Sequence, residues 1–142
     1  MKKICFVCLG NICRSPMAEF VMKDLISDEH LLIESRATSS WEHGNPIHHG
    51  TQEIFKKHQI AYDNHKSSQQ ISYQDFCDFD VIIGMDANNV ADLKQMSRGS
   101  DDKVFLFVDD GVPDPWYTGD FDTTYDLVKR GCEQWLARLR NS

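Results

Sequence analysis

The stretch Cys8-Leu9-Gly10-Asn11-Ile12-Cys13-Arg14-Ser15-Pro16 decides the fold that this sequence predicts. A short apolar run at 4–7 precedes it and is typical of a buried strand, and apolar residues at helical spacing follow it. Ser15 is a good N-cap and Pro16 a good first residue for that helix. We therefore expect the stretch to connect a strand to a helix. An open α/β sheet binds ligands at such a connection, where free backbone N–H groups and the helix dipole favour an anion.

The residue types of this loop fit the binding and attack of a phosphate group. A thiolate at Cys8 is a strong nucleophile, and it forms readily near a helix N-terminus and a cation. Arg14 can fold back over the same cavity, where its planar guanidinium matches two phosphate oxygens. Gly10 permits a strained backbone that turns the amides inward, and Asn11 tolerates a positive φ. The hydroxyl of Ser15 can donate to the thiolate.

The spacing of Cys8 and Arg14 is weak evidence by itself, because roughly one in five such chains with five cysteines contains the pair by chance. A structural turn and a generic anion site are the alternatives. The preceding strand, the internal Gly and Asn, and the Ser-Pro helix start favour the phosphate site.

The segment Val7-Cys8-Leu9-Gly10-Asn11-Ile12-Cys13-Arg14-Ser15-Pro16-Met17-Ala18-Glu19 resembles the signature of the low-molecular-weight protein tyrosine phosphatases. The resemblance covers essentially the whole chain. It includes Glu34-Ser35-x-Ala37-Thr38-Ser39, Gly44-Asn45-Pro46, Phe79-Asp80-x-Ile82-Ile83-x-Met85-Asp86 and Asp114-Pro115. It implies hydrolysis of phosphotyrosine and other aryl phosphates through a cysteinyl-phosphate, without metal or cofactor. Tyrosine-phosphorylated proteins are then the partners, and phosphate is both product and inhibitor.

Composition limits the other possibilities. At 142 residues the chain predicts a single domain, 1–142, and we expect a mostly monomeric protein. An apolar content of 41% and a mean hydropathy of -0.46 fit a soluble globular chain, without a membrane-spanning run or a signal peptide. The net charge of -7 argues against a nucleic-acid partner. Five scattered cysteines predict a reducing, cytoplasmic location.

Apolar patterning predicts strands that alternate with helices. After the first helix, the predicted strands are 31–35, 80–85 and 104–108, and the predicted helices are 47–58, 72–76, 86–93 and 125–139. Ser72 and Asp75 form a plausible N-cap pair, Asp86 is a cap, and 109–120 is a long loop. The alternation implies a parallel, doubly wound α/β sheet. The resemblance makes it four-stranded, three-layered and flavodoxin-like, with the phosphate-binding loop after the first strand.

Asp114 is the candidate general acid. A phenol has a pKa of about 10, so its departure is helped by a group that donates a proton as the bond breaks. Asp114 lies between Pro113 and Pro115, in a loop that follows the last strand and can reach the same sheet edge as Cys8. The residues alone leave open that Asp114 only caps a turn. The resemblance implies the general acid.

The resemblance also implies supporting roles. Ser35 and His65 match a serine and a histidine that brace the loop asparagine, and Asp86 matches an acid near the loop arginine. The histidines do not show convincing metal-ligand spacing, so a solvated or supporting role is expected for each of them.

Aromatic residues are predicted to select the substrate. Trp41 and Trp116 or Tyr117 occupy loops that the fold places beside Cys8, where a phosphotyrosine ring can sit between them. Phosphoserine is too short to reach the sulfur. Ordinary packing is the alternative, and Trp116 stands where the family usually has tyrosine, which puts regulation by phosphorylation there in doubt.

Cys13 shares the phosphate-binding loop with Leu9, Gly10, Asn11, Ile12 and Ser15. Its Cβ can approach that of Cys8 closely enough for a disulfide, but a small packing residue is an equal interpretation of the sequence. The family's bridging cysteine pair implies a redox role.

Three rival functions remain on the sequence. An arsenate reductase shares the loop but needs two more cysteines close together beyond the third strand, and here Cys77 and Cys132 are far apart. Phosphoarginine hydrolases resemble this chain but carry threonine at the position of Ile12. A phosphate-binding module that is not an enzyme fits poorly with Cys8 and Asp114 together.

Overall fold

The computed structural model describes residues 2–27 and 30–141. Within these residues the strands are β1 (Lys2–Cys8), β2 (Leu31–Ala37), β3 (Val81–Gly84) and β4 (Val104–Leu106). The α-helices are α1 (Arg14–Leu25), α2 (His49–Lys57), α3 (Tyr73–Asp78), α4 (Ala87–Met96), α5 (Pro115–Thr118) and α6 (Phe121–Arg140). A short 3-10 helix, Asp101–Lys103, precedes β4. None of the described helices is long and apolar enough to cross a membrane.

The four strands form one parallel sheet in the order β2-β1-β3-β4. This confirms the predicted doubly wound α/β architecture. The strand order reverses at β1, and ligands bind such sheets at the carboxyl ends of the strands beside this reversal. Cys8 is the last residue of β1 and pairs in register with Ala37 of β2. The predicted loop therefore begins at the point of the sheet that suits a ligand best.

Side chains of β1 alternate between two apolar layers. Ile4, Phe6 and Cys8 pack in the layer beneath α1, α2 and α6. Cys5 and Val7 pack in the opposite layer, with α3 and α4. Both faces of the sheet are thus covered, and the strand is buried where it ends in Cys8.

Helix starts differ from the sequence prediction at two places. Helix α1 begins at Arg14 with Cys13 as its N-cap residue, so the prediction of Ser15 as the cap is wrong. The reason is that the Ser15 hydroxyl lies beside the Cys8 sulfur instead. Helix α2 begins at His49 rather than at position 47, and the ring of His48 caps it by accepting from the Gly50 N–H.

Other boundaries agree more closely. Ser72 and Asp75 form the predicted capping box of α3, and Asp86 caps α4 through the Asn89 N–H. Strands β3 and β4 are shorter than the apolar runs that predicted them. The predicted loop at 109–120 contains α5, whose first residue is Pro115 and whose C-cap residue, Gly119, has φ +72°. Proline suits the first position of a helix because it has no N–H to lose there.

Candidate active site

The loop after β1 wraps around the sulfur of Cys8. The backbone N–H of Asn11 points at this sulfur from 3.2 Å, and Oγ of Ser15 lies 3.1 Å from it. Asn11 adopts φ +56°, the left-handed conformation that asparagine tolerates better than most residues. Because the Asn11 side-chain amide donates to Ser15 Oγ at 2.8 Å, the serine hydrogen can be donated to the sulfur, with the Arg36 carbonyl at 3.4 Å as the more distant acceptor. Hydrogen-bond donors thus surround the candidate nucleophile.

The carbonyl groups of the loop accept hydrogen bonds from residues outside the loop, not from groups around the Cys8 sulfur. The carbonyl oxygens of Leu9 and Gly10 accept the hydroxyls of Ser39 and Ser68, each at 2.8 Å. The carbonyl of Ile12 accepts the His48 N–H at 2.9 Å. Anchoring the acceptors outside the loop favours amides that face inward, which is the requirement for holding an anion.

Asn11 is almost completely buried and uses all of its polar atoms. Its Nδ2 donates to Ser35 Oγ at 3.0 Å as well as to Ser15, and its Oδ1 accepts from the Gln69 N–H at 3.2 Å. Ser35 in turn donates to a carboxylate oxygen of Glu19 at 2.5 Å. The structure therefore brings Ser35 to the loop, as the resemblance implied.

His65 does not reach the loop, and the brace predicted from it is wrong. His65 is exposed, and its backbone N–H donates to Asp63. The next residue takes the position instead: Nζ of Lys66 lies 3.3 Å from Asn11 Oδ1. The turn at 63–66 directs the side chain of Lys66 inward and that of its neighbour outward.

Arg14 is 3% exposed and is held by three oxygens. Its Nη1 donates to Asp86 Oδ2 at 2.6 Å and to the Val112 carbonyl at 2.9 Å, and its Nη2 lies 3.4 Å from Asp114 Oδ2. Burial alone would lower the pKa of Arg14, but the surrounding negative charge, that of a Cys8 thiolate above all, raises it. Asp86 therefore lies where the resemblance implied.

The guanidinium keeps donors for a ligand. Arginine has five N–H groups, and the three contacts with Asp86, Val112 and Asp114 use three of them. Within 2–27 and 30–141, no protein acceptor takes the Nε–H or the second Nη2–H of Arg14. These two groups can bind a phosphate in the planar, bidentate way that arginine favours.

Asp114 both caps a helix and faces the site. Its Oδ1 accepts the Trp116 N–H at 3.1 Å at the start of α5, while Oδ2 approaches Arg14. The sequence left open whether Asp114 caps a turn or acts as the general acid. The two roles are compatible, because the cap orients the carboxyl group that borders the cavity.

A cavity of about 130 Å³ opens above the sulfur. Its lining residues are Cys8, Leu9, Gly10, Ile12, Cys13, Trp41, Glu42, Asp114, Trp116 and Tyr117. Trp41, Trp116 and Tyr117 are 78%, 55% and 77% exposed, so packing in the core does not account for them. Sequence reasoning missed Glu42, whose only local signal is its place beside Trp41. Among the described residues, no group of three His, Cys, Asp or Glu side chains could hold a metal ion.

Cys13 lines the same cavity and is 4% exposed. Burial, with the nearby Cys8 charge, raises the pKa of Cys13 to about 12. Neither Cys13 nor Cys8 forms a disulfide in the structure. The thiol of Cys13 is therefore protonated at neutral pH.

Comparisons with known proteins agree with this geometry. The sequence model of the family described as low molecular weight phosphotyrosine protein phosphatase matches residues 3–142. The protein-tyrosine-phosphatase YfkJ of Bacillus subtilis is 43% identical over 152 aligned residues, which cover 99% of this chain and 97% of the relative. PtpA of Staphylococcus aureus is 39% identical over 145 residues, covering 96% and 92%.

A solved structure is closer in sequence. The crystal structure of SP-PTP, a low molecular weight protein tyrosine phosphatase from Streptococcus pyogenes, is 64% identical and matches with a TM-score of 0.96. The match covers 98% of this chain and 93% of that one. Together with the family match, this similarity establishes that the chain belongs to the low molecular weight protein tyrosine phosphatases.

Proposed function

We propose that this chain is one phosphatase domain, 1–142, that hydrolyses phosphotyrosine and other aryl phosphate monoesters through a cysteinyl-phosphate. The observation that carries the proposal is the sulfur of Cys8, which lies within reach of N–H and O–H donors at the base of an aromatic-walled cavity. Asp114, the proposed proton donor, lines the same cavity, and the guanidinium of Arg14 lies 3.4 Å from its carboxyl group. Membership of the family supports this assignment.

In the first step the Cys8 thiolate attacks phosphorus in line with the leaving oxygen. The S–P bond forms as the P–O bond to the phenol breaks. Arg14 and the loop amides bind the equatorial phosphate oxygens, where negative charge accumulates in the transition state. Asp114 gives its proton to the departing phenolate.

In the second step a water molecule attacks the phosphorus of the cysteinyl-phosphate. Asp114, now ionised, takes a proton from this water, and the S–P bond breaks. Ser15 donates its hydroxyl hydrogen to the sulfur as negative charge returns to it. The products are inorganic phosphate and the thiolate, and phosphate can rebind to the same donors as an inhibitor. The scheme uses only side chains and amides of this chain.

Substrate choice follows from the walls of the cavity. The rings of Trp41, Trp116 and Tyr117 can pack against a phenyl ring while its phosphate reaches Cys8. A phosphoserine side chain is too short to bring its phosphate to the same depth. Tyrosine-phosphorylated proteins in the cytoplasm are the proposed substrates.

The arsenate reductase alternative finds no support in the remaining cysteines. Cys132 is fully buried and its thiol points to the Ala18 carbonyl at 3.6 Å, whereas Cys77 is exposed on α3. Neither of them lines the cavity of Cys8. Cys13 of the loop itself is the one further cysteine among the described residues that lines the cavity, so a redox relay of the kind that an arsenate reductase needs has no third thiol at the site.

The test compares the parent with Cys8→Ser. For each protein, turnover of phosphotyrosine, phosphoserine, phosphoarginine and arsenate is measured. We expect phosphotyrosine to be the best substrate of the parent, and Cys8→Ser to lose turnover while still binding phosphate. Cys77→Ser is the matched control and keeps parent activity. Activity of Cys8→Ser within tenfold of the parent would contradict the covalent mechanism, and a preference for phosphoarginine or arsenate would contradict the assigned substrate.

A further inference from the structure

His48 joins three parts of the structure that surround the cavity. Its backbone N–H donates to the Ile12 carbonyl of the phosphate-binding loop at 2.9 Å, and its ring Nδ1 accepts the Gly50 N–H of α2 at 3.0 Å. The same ring packs against Trp116 of α5, with the ring centroids 5.6 Å apart and the planes at 78°. Ile12 and Trp116 line the cavity, whereas His48 does not. The proposed reaction steps leave this imidazole without a role.

We propose that His48 is a positioning residue: its neutral imidazole, held by the start of α2, fixes the place of the Trp116 ring and thereby sets how well the cavity binds the aryl group of the substrate. The inference rests on the proposed function and deepens it, because it assigns part of the aryl selectivity to a side chain outside the cavity. The phosphate, which the loop binds, does not depend on this ring.

The contact with Gly50 fixes both the position and the tautomer of the ring. The N–H of Gly50 is one of the first amides of α2, which find no acceptor within the helix. A ring nitrogen that accepts a hydrogen bond carries no proton, so the neutral ring of His48 has its hydrogen on Nε2. With Nδ1 bound to the start of the helix, the ring cannot turn without breaking this hydrogen bond.

Phe121, the first residue of α6, supports the ring. The two rings are stacked, with centroids 5.2 Å apart and planes at 17°. Gly50 makes this approach possible, since a Cβ at that position would lie 2.5 Å from the Phe121 ring. His48 is therefore held by a hydrogen bond and by a stacked ring, and it can act as a fixed surface for the next ring, that of Trp116.

The Trp116 ring has little other support. Its residue is 55% exposed and belongs to α5, a helix of four residues that begins at the Asp114 cap. Among the described residues, His48 supplies the one aromatic ring that packs against it. An exposed ring on so short a helix can take several rotamers. A contact that favours one of them lowers the entropy cost of binding an aryl group.

The groups around His48 favour its neutral form. The titratable groups that face it are His49, whose ring is stacked on it with centroids 4.4 Å apart, and Glu42. The rings that α5 and α6 place against it, those of Trp116 and Phe121, are uncharged. Burial lowers the pKa of His48, and the charge of His49 lowers it further, against the opposing effect of Glu42. The ring is therefore neutral at neutral pH.

Protonation removes the hydrogen bond that holds the ring. An imidazolium carries hydrogen on both nitrogens, so Nδ1 no longer accepts from Gly50 and the two donors repel each other. The affinity for the aryl group should thus fall as the pH falls through the lowered pKa of His48. The fold responds with the same sign: this group stabilises the folded chain above its unfolded pKa, and the contribution is lost as the pH falls through the folded pKa.

The experiment separates binding of the aryl group from binding of the phosphate. His48→Asn keeps a good N-cap residue and the backbone N–H to Ile12, but removes the ring. We expect KM for an aryl phosphate to rise about threefold, as for the loss of one aromatic contact, with kcat nearly unchanged. The inhibition constant of inorganic phosphate should stay at the parent value. His30→Asn, just before β2 at the opposite end of the sheet from Cys8, is the matched control.

A double-mutant cycle shows whether His48 acts through Trp116. Trp116→Ala alone should raise KM by about fivefold, as for the loss of an aromatic wall. Residues that act through one contact are not additive. Once the Trp116 ring is gone, His48→Asn should therefore change KM no further.

The pH dependence gives a readout that a merely structural role would not move. The KM of His48→Asn divided by that of the parent cancels the titration of the substrate and of the groups that both proteins share. This ratio should be about three at neutral pH and approach one as the pH falls through the pKa of His48, because the parent then loses its fixed ring as well. If His48→Asn does not fold, as judged by circular dichroism, His48→Phe carries the test. Its ring does not titrate, so its KM ratio to the parent should fall in the same pH range.

A second measurement does not depend on turnover. An imidazolium beside an indole quenches the indole fluorescence, so the emission of the parent should fall as His48 becomes protonated. The same change should occur in His30→Asn. It should be absent from His48→Asn and from Trp116→Phe.

Four results would each overturn the positioning role: an unchanged KM in His48→Asn, a parallel rise in the inhibition constant of phosphate, additive effects in the cycle, or a KM ratio that does not depend on pH. Failure of the proposed function looks different. The parent itself would then not hydrolyse aryl phosphates, whereas the fluorescence titration would still report the contact between His48 and Trp116.

Discussion

The Nη1 atom of Arg14 lies 2.6 Å from Oδ2 of Asp86, and the other oxygen of the same carboxylate accepts the Asn89 N–H at 2.8 Å. Asp86 is thus fixed as the cap of α4 while it orients the guanidinium. The chain also passes close on the other side, since a Cβ at Gly111 would lie 3.2 Å from that of Asp86. The pair joins the loop after β1 to the turn after β3, so the direction of the arginine is set by the sheet itself.

Arg14→Lys should lower kcat/KM for aryl phosphates by about 10²–10³-fold, the usual cost of removing a donor from a transition-state anion. A lysine supplies charge but cannot contact Asp86, Val112 and two phosphate oxygens together. Steady-state kinetics are the measurement, and Arg130→Lys on the exposed side of α6 is the control. Near-parent rates for Arg14→Lys would contradict bidentate phosphate binding by the Arg14 guanidinium.

Asp114→Asn should slow hydrolysis of substrates with poor leaving groups by roughly 10²–10⁴-fold. The loss should shrink as the leaving phenol becomes more acidic, because such a phenol departs without a proton. The measurement is kcat for a series of aryl phosphates. Asp120→Asn, in the cap of α6, should show no such dependence on the leaving group. A constant loss across the series for Asp114→Asn would make the residue structural.

Trp41→Ala should raise KM for aryl phosphates by about fivefold, which corresponds to the order of 1 kcal/mol expected for an aromatic pair. The change in kcat should be smaller, because the ring contacts the substrate and not the reacting atoms. Tyr73→Ala is a control, since Tyr73 is exposed but does not line the cavity. Equal efficiency of the parent on phosphoserine and phosphotyrosine peptides would contradict the aromatic-walled pocket.

Mild peroxide should inactivate the protein reversibly. Peroxide converts the Cys8 thiolate to a sulfenic acid, and the Cys13 thiol then attacks that sulfur, forms the S–S bond and releases water. Because the pKa of Cys13 is raised to about 12, its reactive thiolate is scarce at neutral pH, and bridge closure should become faster as the pH rises.

Peptide mapping and recovery with a thiol reductant check this prediction. Cys13→Ser should keep substantial activity but lose most of the recovery, whereas Cys77→Ser should behave like the parent. Bound phosphate should protect both proteins. Complete recovery of Cys13→Ser, with no bridge between Cys8 and Cys13 in the parent, would leave Cys13 as a packing residue.

Gly131→Ala should destabilise the fold although alanine favours helices. A Cβ at this position of α6 would overlap the ring of Phe107, which itself packs edge-on against Phe6 at 5.8 Å. Overpacking of this kind costs about 1–3 kcal/mol. Urea unfolding is the measurement, with Glu133→Ala on the exposed side of the same helix as control. An unchanged or higher unfolding midpoint for Gly131→Ala would contradict this close packing.

The sequence predicts the sheet and the loop well because their signals are local. The apolar run of β1, the glycine and asparagine of the loop, and the cap at Asp86 each act on backbone only a few positions away in sequence. The start of α1 could not be predicted in this way, since Ser15 has two possible partners and the fold assigns its hydroxyl to the Cys8 sulfur.

Lys66 was missed for a related reason. It lies in a polar turn whose residues all suit solvent, and its contact with Asn11 spans 55 positions of the chain. The resemblance pointed to His65, the residue before it. In a turn, the side chains of successive residues point in different directions. A shift of one residue along such a turn can therefore be recognised only once the backbone is known.

The contacts of Arg14 also constrain when the protein can act during its synthesis. Arg14 binds the Val112 carbonyl 98 positions further along the chain, and α1 packs against α6, the last helix. During synthesis Cys8 leaves the ribosome early. The Val112 carbonyl, which holds the anion-binding Arg14, emerges only after most of these residues have been made. Contacts between such distant residues close late in folding, since the entropy of a long loop must first be overcome. A nascent chain should therefore carry Cys8 without phosphatase activity, and catalysis should switch on with the docking of the final helix.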